Sequence, residues 1–289
     1  MARGRARRSP PQAPPKNSQR PRRLTSSQVG GEALFPRWFA AYLVSFILRN
    51  NAVLVLPNYR LIPEHNGFDI LSDISGFWTW FEAELPSYVA SVCPDVALDT
   101  GHVLVAGDSA GGHMAAHSAM MTAKGRVTAM LLTYPMTSWL RRKVASTFMG
   151  SPAPGPERIG EYLAKIVPGE TVSSFTPTYR MDLSYALSAY GRWREFFGTT
   201  HGLLPIEAIE HATHFPPTYI IHGRQDTAVS VEDTLAFKEK VGRVLGKEVG
   251  DSVRVELQDG DHGFEVELME HDTPWLREGL KWVEEQWLA

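Results

Sequence analysis

Gly107-Asp108-Ser109-Ala110-Gly111 sets a serine between two glycines at the spacing G-x-S-x-G. The apolar run Val103-Leu104-Val105-Ala106 precedes it and a small-residue stretch, Gly112 to Ala123, follows. Strand, sharp turn and helix are therefore expected in that order, which makes the motif a nucleophile elbow with the Ser109 Oγ exposed at the bend. Positions 107 and 111 must be small so that strand and helix can approach, and the helix N-terminus adds a positive field beneath the serine. A bare G-x-S-x-G is more often an ordinary glycine-rich turn, and the flanking pattern is what decides here.

A serine hydroxyl is a weak nucleophile at neutral pH and needs a base held by a third group. Asp226 lies just beyond the apolar run Thr218-Tyr219-Ile220-Ile221, in His222-Gly223-Arg224-Gln225-Asp226. His262 lies beyond Val253-Arg254-Val255-Glu256-Leu257, in Asp259-Gly260-Asp261-His262-Gly263-Phe264. Both fall on loops after strands, the places where a parallel sheet gathers its site. Glu232 and Asp233 are rival acids, but they fall on the following helix, where a surface salt-bridge role is expected. His222 ends a strand and reads as packing or turn support. His211 and His214 resemble a metal pair only superficially, because no helix or third ligand accompanies them in the sequence. Cys93, the single cysteine, reads as a bystander; it excludes an internal disulfide and fits a reducing, cytoplasmic setting.

The elements needed to hold these loops can be read from apolar periodicity. Helical patterns run over Phe35–Leu48, Ile70–Phe81, Gly112–Ala123, Val231–Leu245 and Trp275–Trp287. Strand patterns run over Ala52–Leu56, Val103–Ala106, Thr128–Thr133, Thr218–Ile221 and Val253–Leu257. Such alternation implies a mostly parallel sheet with helices on both faces. From Trp139 to about His214 no strand pattern occurs, while prolines and aromatics are frequent. That stretch is expected to form a helical cap over the serine, with Trp139, Tyr179 and Tyr190 as candidate walls.

Charge and length narrow the function classes. The 289 residues carry a net charge of −3, but residues 1–23 hold eight of the 29 basic residues and no acid. The remainder, 21 basic against 32 acidic, is not a nucleic-acid binder by charge. No stretch reaches the roughly 18 apolar residues of a membrane span. Residues 1–29 read as a basic, proline-rich disordered tail, and residues 30–289 as one catalytic domain.

Two motifs together carry a resemblance. Asn58-Tyr59-Arg60-Leu61-Ile62-Pro63-Glu64-His65 with Asp73, and Gly107-Asp108-Ser109-Ala110-Gly111-Gly112, resemble the hormone-sensitive-lipase-like esterase branch of the α/β-hydrolase fold. The resemblance implies hydrolysis of a small-molecule carboxylic ester without metal or organic cofactor. It implies Ser109 as nucleophile, His262 as base and Asp226 as acid, with the Ala110 amide in the oxyanion hole. Relatives of this kind in fungi suggest a place in secondary metabolism.

The chain also departs from that family, which carries a His-Gly-Gly stretch after a central strand to complete the oxyanion hole. No His-Gly-Gly occurs here, leaving Gly30 and Gly31 as the remaining candidates. Arg20 to Arg23, basic and containing Pro21, does not read as a buried central strand. The expectation is thus an N-terminally truncated fold whose sheet is open in the middle, through a misassigned first exon or a shortened protein. Three functional readings follow: an ester hydrolase, a catalytically impaired binding protein of the same fold, and an acyltransferase or lactone-forming enzyme using the same triad.

Overall fold

A computed structural model of the chain describes residues 22–26, 39–139, 147–148, 151–174 and 180–289. Strand β1 (Arg22–Ser26) is followed by helix α1 (Ala41–Arg49), strand β2 (Leu54–Val55), helices α2 (Gly67–Ala83) and α3 (Leu85–Val92), and strand β3 (Val103–Asp108). Helix α4 (Ala110–Met121) leads to β4 (Ala129–Thr133), then to a small hairpin of β5 (Thr147–Phe148) and β6 (Ser151–Pro152). Four short helices come next: α5 (Glu157–Leu163), α6 (Met181–Ala189), α7 (Trp193–Phe197) and α8 (Pro205–Ala208). The chain closes with β7 (Thr218–Gly223), α9 (Val231–Leu245), α10 (Lys247–Asp251), β8 (Val253–Gln258) and α11 (Pro274–Trp287).

Six strands form one sheet in the order β2-β1-β3-β4-β7-β8, and every pairing is parallel. Strand residues alternate between two cores, as the two-residue period requires. Val103, Val105, Met130, Leu132 and Ile220 face Ile70, Ile74, Trp78, Met114 and Phe237 of α2, α4 and α9. Leu104, Ala106, Leu131, Tyr219 and Ile221 face Tyr42, Phe46, Leu276, Leu280 and Trp287 of α1 and α11. Burial on both faces explains why these strands are continuous apolar runs. Helix α2 begins with a capping box, in which the Asn66 side chain accepts from the amides of Phe68 and Asp69 while Asp69 accepts from the Asn66 amide.

The expectation of an open sheet is overturned. Arg22–Ser26 is an inner strand, pairing with β2 through Arg23 and Leu24 and with β3 from Arg22 to Ser26. The basic side chains argued against this, but a parallel ladder is built from main-chain N–H and C=O groups. Pro21 precedes the first strand residue, so its missing N–H removes no donor from the strand itself. With β1 in place the facing edges of β2 and β3 have backbone partners, each of which would cost about 1–3 kcal/mol if buried without one. Strand β1 ends with Ser26 beside Gly107 of the elbow.

The stretch 139–214 is tied to the sheet domain by buried polar contacts. Arg180 donates through Nη2 to the Ile62 carbonyl and to Glu64 Oε2 (2.9 Å), and Tyr162 donates its hydroxyl to Glu64 Oε1 at 2.6 Å. Its helices also pack against helices outside the stretch, α7 against α2 and α8 against α4 and α9.

Candidate active site

Chain reversal in the sheet occurs between β1 and β3, since β2 lies to one side and the later strands to the other. In open α/β sheets ligands bind at such a switch point, beyond the strands' carboxyl ends. Ser109 immediately follows β3 there. Its backbone sits at φ 50°, ψ −116°, a left-handed conformation that costs an L-residue on the order of 1–3 kcal/mol. The surroundings impose it: the Ser109 amide donates to Thr133 (3.0 Å), and the Ser109 carbonyl accepts from Met136 (2.8 Å). Small residues are mandatory around it. A Cβ on Gly107 would lie 2.2 Å from the Gly111 carbonyl oxygen, and one on Gly112 would lie 2.5 Å from Pro135. Ala110 opens α4, and its amide is among those a helix leaves without an internal acceptor.

Asp226 and His262 meet across two loops. His262 Nδ1 lies 2.8 Å from Asp226 Oδ2, and Asp226 Oδ1 accepts from the amides of Ala228 (2.8 Å) and Val229 (2.7 Å). Burial pushes the Asp226 carboxyl up, but the hydrogen bonds from His222 and His262 outweigh it and hold the group well below the usual carboxylate range. Asp226 is thus the ionised partner that an imidazolium needs. The two loops are clamped together by Asp261, which accepts from the Thr227 amide (2.8 Å) and hydroxyl (2.9 Å) and from the His262 amide (2.7 Å). They approach so closely that a Cβ on Gly223 would lie 2.3 Å from the Gly260 carbonyl oxygen.

Tyr134 links the serine side to the histidine side. It directly follows Thr133, which holds the Ser109 amide, and its ring centroid lies 4.1 Å from that of His262. Its hydroxyl donates to Glu265 Oε1 at 2.6 Å. Neither residue is marked by any sequence motif, and they lie 131 positions apart.

The resembling motif at residues 58–65 is tied to α2. The Arg60 side chain and amide both donate to Asp73 (2.9 and 2.8 Å), and Arg60 also pairs with Asp69 at 3.1 Å. Tyr59 is buried, and burial together with the Asp108 charge raises its hydroxyl pKa.

Other candidates resolve as follows. His222 is fully buried, with Nδ1 at 2.9 Å from Thr234 Oγ1 and Nε2 at 3.0 Å from the Val229 carbonyl and 3.4 Å from Asp226. It braces the Asp226 turn. Asp233 is not a surface acid: it is 2 % exposed, and its carbonyl accepts from the Thr137 hydroxyl, because the first turn of α9 packs beneath the chain after β4. Glu232 is exposed and bonded to Ser230. Chain folding brings His201 and Glu210 beside His211, with ligand atoms within 4.8 Å, and His214 is not part of that group. Glu210 is already engaged there by Lys240 and His201, which hold its carboxyl down at about 2. Trp139 is buried core, stacked on His113 and edge-on to Phe197. Tyr190 is half-buried and donates to the Pro154 carbonyl. Cys93 is free and exposed. Gly30, Gly31 and Tyr179 lie outside the described residues. Among the described residues no helix is long and apolar enough to cross a membrane.

Comparison with known proteins bears on the fold and the family. A family model described as the alpha/beta hydrolase fold matches residues 36–265. A probable carboxylesterase from Phoma sp. is 28% identical over 270 residues, covering 90% of this chain and 82% of that protein. A probable carboxylesterase from Cochliobolus lunatus is 27% identical over 190 residues, 62% of this chain and 87% of its own length. Among solved structures, an esterase from Pyrococcus furiosus superposes with a TM-score of 0.56 at 14% identity, covering 95% of this chain and 84% of that one. A protein of unknown function from Staphylococcus aureus does so with a TM-score of 0.60 at 13% identity, covering 95% and 90%. The likeness at such low identity is one of fold, and with the family match over most of the length it establishes that this chain belongs to the α/β-hydrolase fold family.

Proposed function

We propose that the chain hydrolyses carboxylic esters of small molecules through an acyl-enzyme on Ser109. The observation that carries this reading is the His262 to Asp226 hydrogen bond at 2.8 Å, made beyond the ends of β7 and β8 in the same sheet whose β3 leads into the strained serine elbow. The carboxylesterase names of the Phoma and Cochliobolus relatives support the choice of ester over other acyl groups.

Ser109 Oγ attacks the ester carbonyl as His262 Nε2 takes its proton, and Asp226 holds Nδ1–H and stabilises the imidazolium. The Ala110 amide donates to the oxygen that becomes negative. The imidazolium then returns the proton to the leaving alcohol. Water, deprotonated by His262, cleaves the acyl-enzyme and releases the acid. The test is hydrolysis of short p-nitrophenyl esters by the full chain, by Ser109→Ala and by His262→Ala. The reading expects both variants to be inactive, and wild-type rates in Ser109→Ala would overturn it.

A further inference from the structure

Glu265 is 2 % exposed, and the mechanism above does not use it. One carboxyl oxygen accepts the Tyr134 hydroxyl at 2.6 Å, and the other, Oε2, has no hydrogen-bond partner. Among the described residues no cation is paired with it; the charges that act on it are Asp108 at the elbow and Asp226 of the triad, both of its own sign. Tyr134 in turn stands at a positive φ of 37°, held by the hydrogen bond its amide donates to the Ile221 carbonyl (2.7 Å). Its ring lies 4.1 Å from the imidazole of His262 and edge-on to His222 at 6.3 Å, and Tyr42 of α1 acts on it electrostatically. A buried carboxyl with one oxygen left without a partner is a costly arrangement for the fold, and this one stands three residues from the proposed base.

We infer that Glu265 is a positioning residue for His262, acting through Tyr134: its carboxyl fixes the tyrosine ring on which the imidazole packs, and in its ionised form it favours the imidazolium that develops during acyl transfer. The inference rests on the proposed triad. Burial, only partly offset by the hydrogen bonds from Tyr134 and from the Glu265 amide and reinforced by Asp108 and Asp226, pushes the carboxyl up to about 7, so the two forms exchange within the working range of an esterase. Below that pH the neutral acid still accepts from Tyr134. Above it the added charge lies behind the aromatic ring, at one remove from the reacting atoms, so its effect on rate is modest.

The test compares the full chain with Glu265→Gln and Tyr134→Phe in p-nitrophenyl acetate hydrolysis from about pH 6 to pH 8.5. Glutamine keeps an acceptor for the tyrosine hydroxyl but cannot ionise. The ratio of Glu265→Gln to wild-type kcat is expected to fall about fivefold across that range, well short of the 10²–10³ lost with a direct oxyanion donor. KM should stay within about twofold, because the substrate is not touched. Tyr134→Phe keeps the ring and severs the link, so its kcat ratio should fall across the same range. A ratio for Glu265→Gln that is flat or rising with pH, or a loss confined to KM, overturns the inference, and this near-isosteric variant decides the matter should Tyr134→Phe not fold. Ser109→Ala separates the two levels: activity that survives it sinks the triad itself, whereas Ser109-dependent activity with a flat ratio sinks only the role of Glu265.

Discussion

Replacing Glu265 with glutamine should also alter how stability depends on pH, by an amount that the burial of this one carboxyl sets. The group stands at about 7 in the folded protein, against 4.5 for an unperturbed glutamate. Between those values the folded state keeps a proton that the unfolded chain has released. The contribution of Glu265 to stability therefore falls as pH rises from about 4.5 to about 7, and is level above that. The gap, 7 minus 4.5, corresponds at about 1.4 kcal/mol per pH unit to a total of about 3 kcal/mol. Two buried histidines oppose it: burial holds His113 and His117 low, His117 at about 4, so they add stability as pH rises toward 6.5. Asp226, held low, loses its contribution only as pH falls through the acidic range below 3.8. The wild-type curve is thus a sum of opposing terms, but the difference between wild type and Glu265→Gln isolates the carboxyl. Urea unfolding of both proteins from about pH 5 to pH 8 should show the glutamine variant gaining about 2–3 kcal/mol relative to wild type. A difference constant within about 0.5 kcal/mol over that range would refute the reasoning, because Glu265 would then titrate alike in both states.

Asp226→Asn should lower kcat by about 10³–10⁴ with little change in KM, since the amide cannot both accept from His262 Nδ1–H and stabilise the imidazolium; steady-state kinetics within tenfold of wild type would remove Asp226 from the triad. Gly107→Ala should lower Tm by roughly 5 °C or more and abolish esterase activity, because its Cβ meets backbone atoms of Gly111 and Gly112 at 2.2 to 2.8 Å rather than side chains that can move. Calorimetry showing an unchanged Tm would mean the elbow is looser than its geometry.

The parts of the site legible in the sequence were those specified locally. Gly107 and Ser109 are marked by spacing and flanks, and Asp226 and His262 by their places just after apolar runs that became β7 and β8. Strand β1 was not legible, because Arg22-Arg23-Leu24-Thr25-Ser26 shows no alternation, and its position follows from the two neighbours it pairs with in register. Asp233 misled for a related reason: a helix periodicity shows which face is apolar but not that the first turn of α9 is covered by the chain near Thr137. Tyr134 and Glu265 were invisible because their contact joins chain segments 131 residues apart and depends on the stacking of whole strands. His201 reached Glu210 across the short helix α8, which no ligand spacing announces.

Identification of the reacting atom is the most direct test of the account. Labelling the folded chain with a fluorophosphonate and mapping the modified peptide should place the phosphonyl group on Ser109 alone. The label should be absent in Ser109→Ala and formed far more slowly in His262→Ala, which lacks the base that takes the serine proton. A folded wild-type chain that remains unlabelled, or a label carried by another residue and unaffected by Ser109→Ala, would contradict the assignment of Ser109 as the nucleophile.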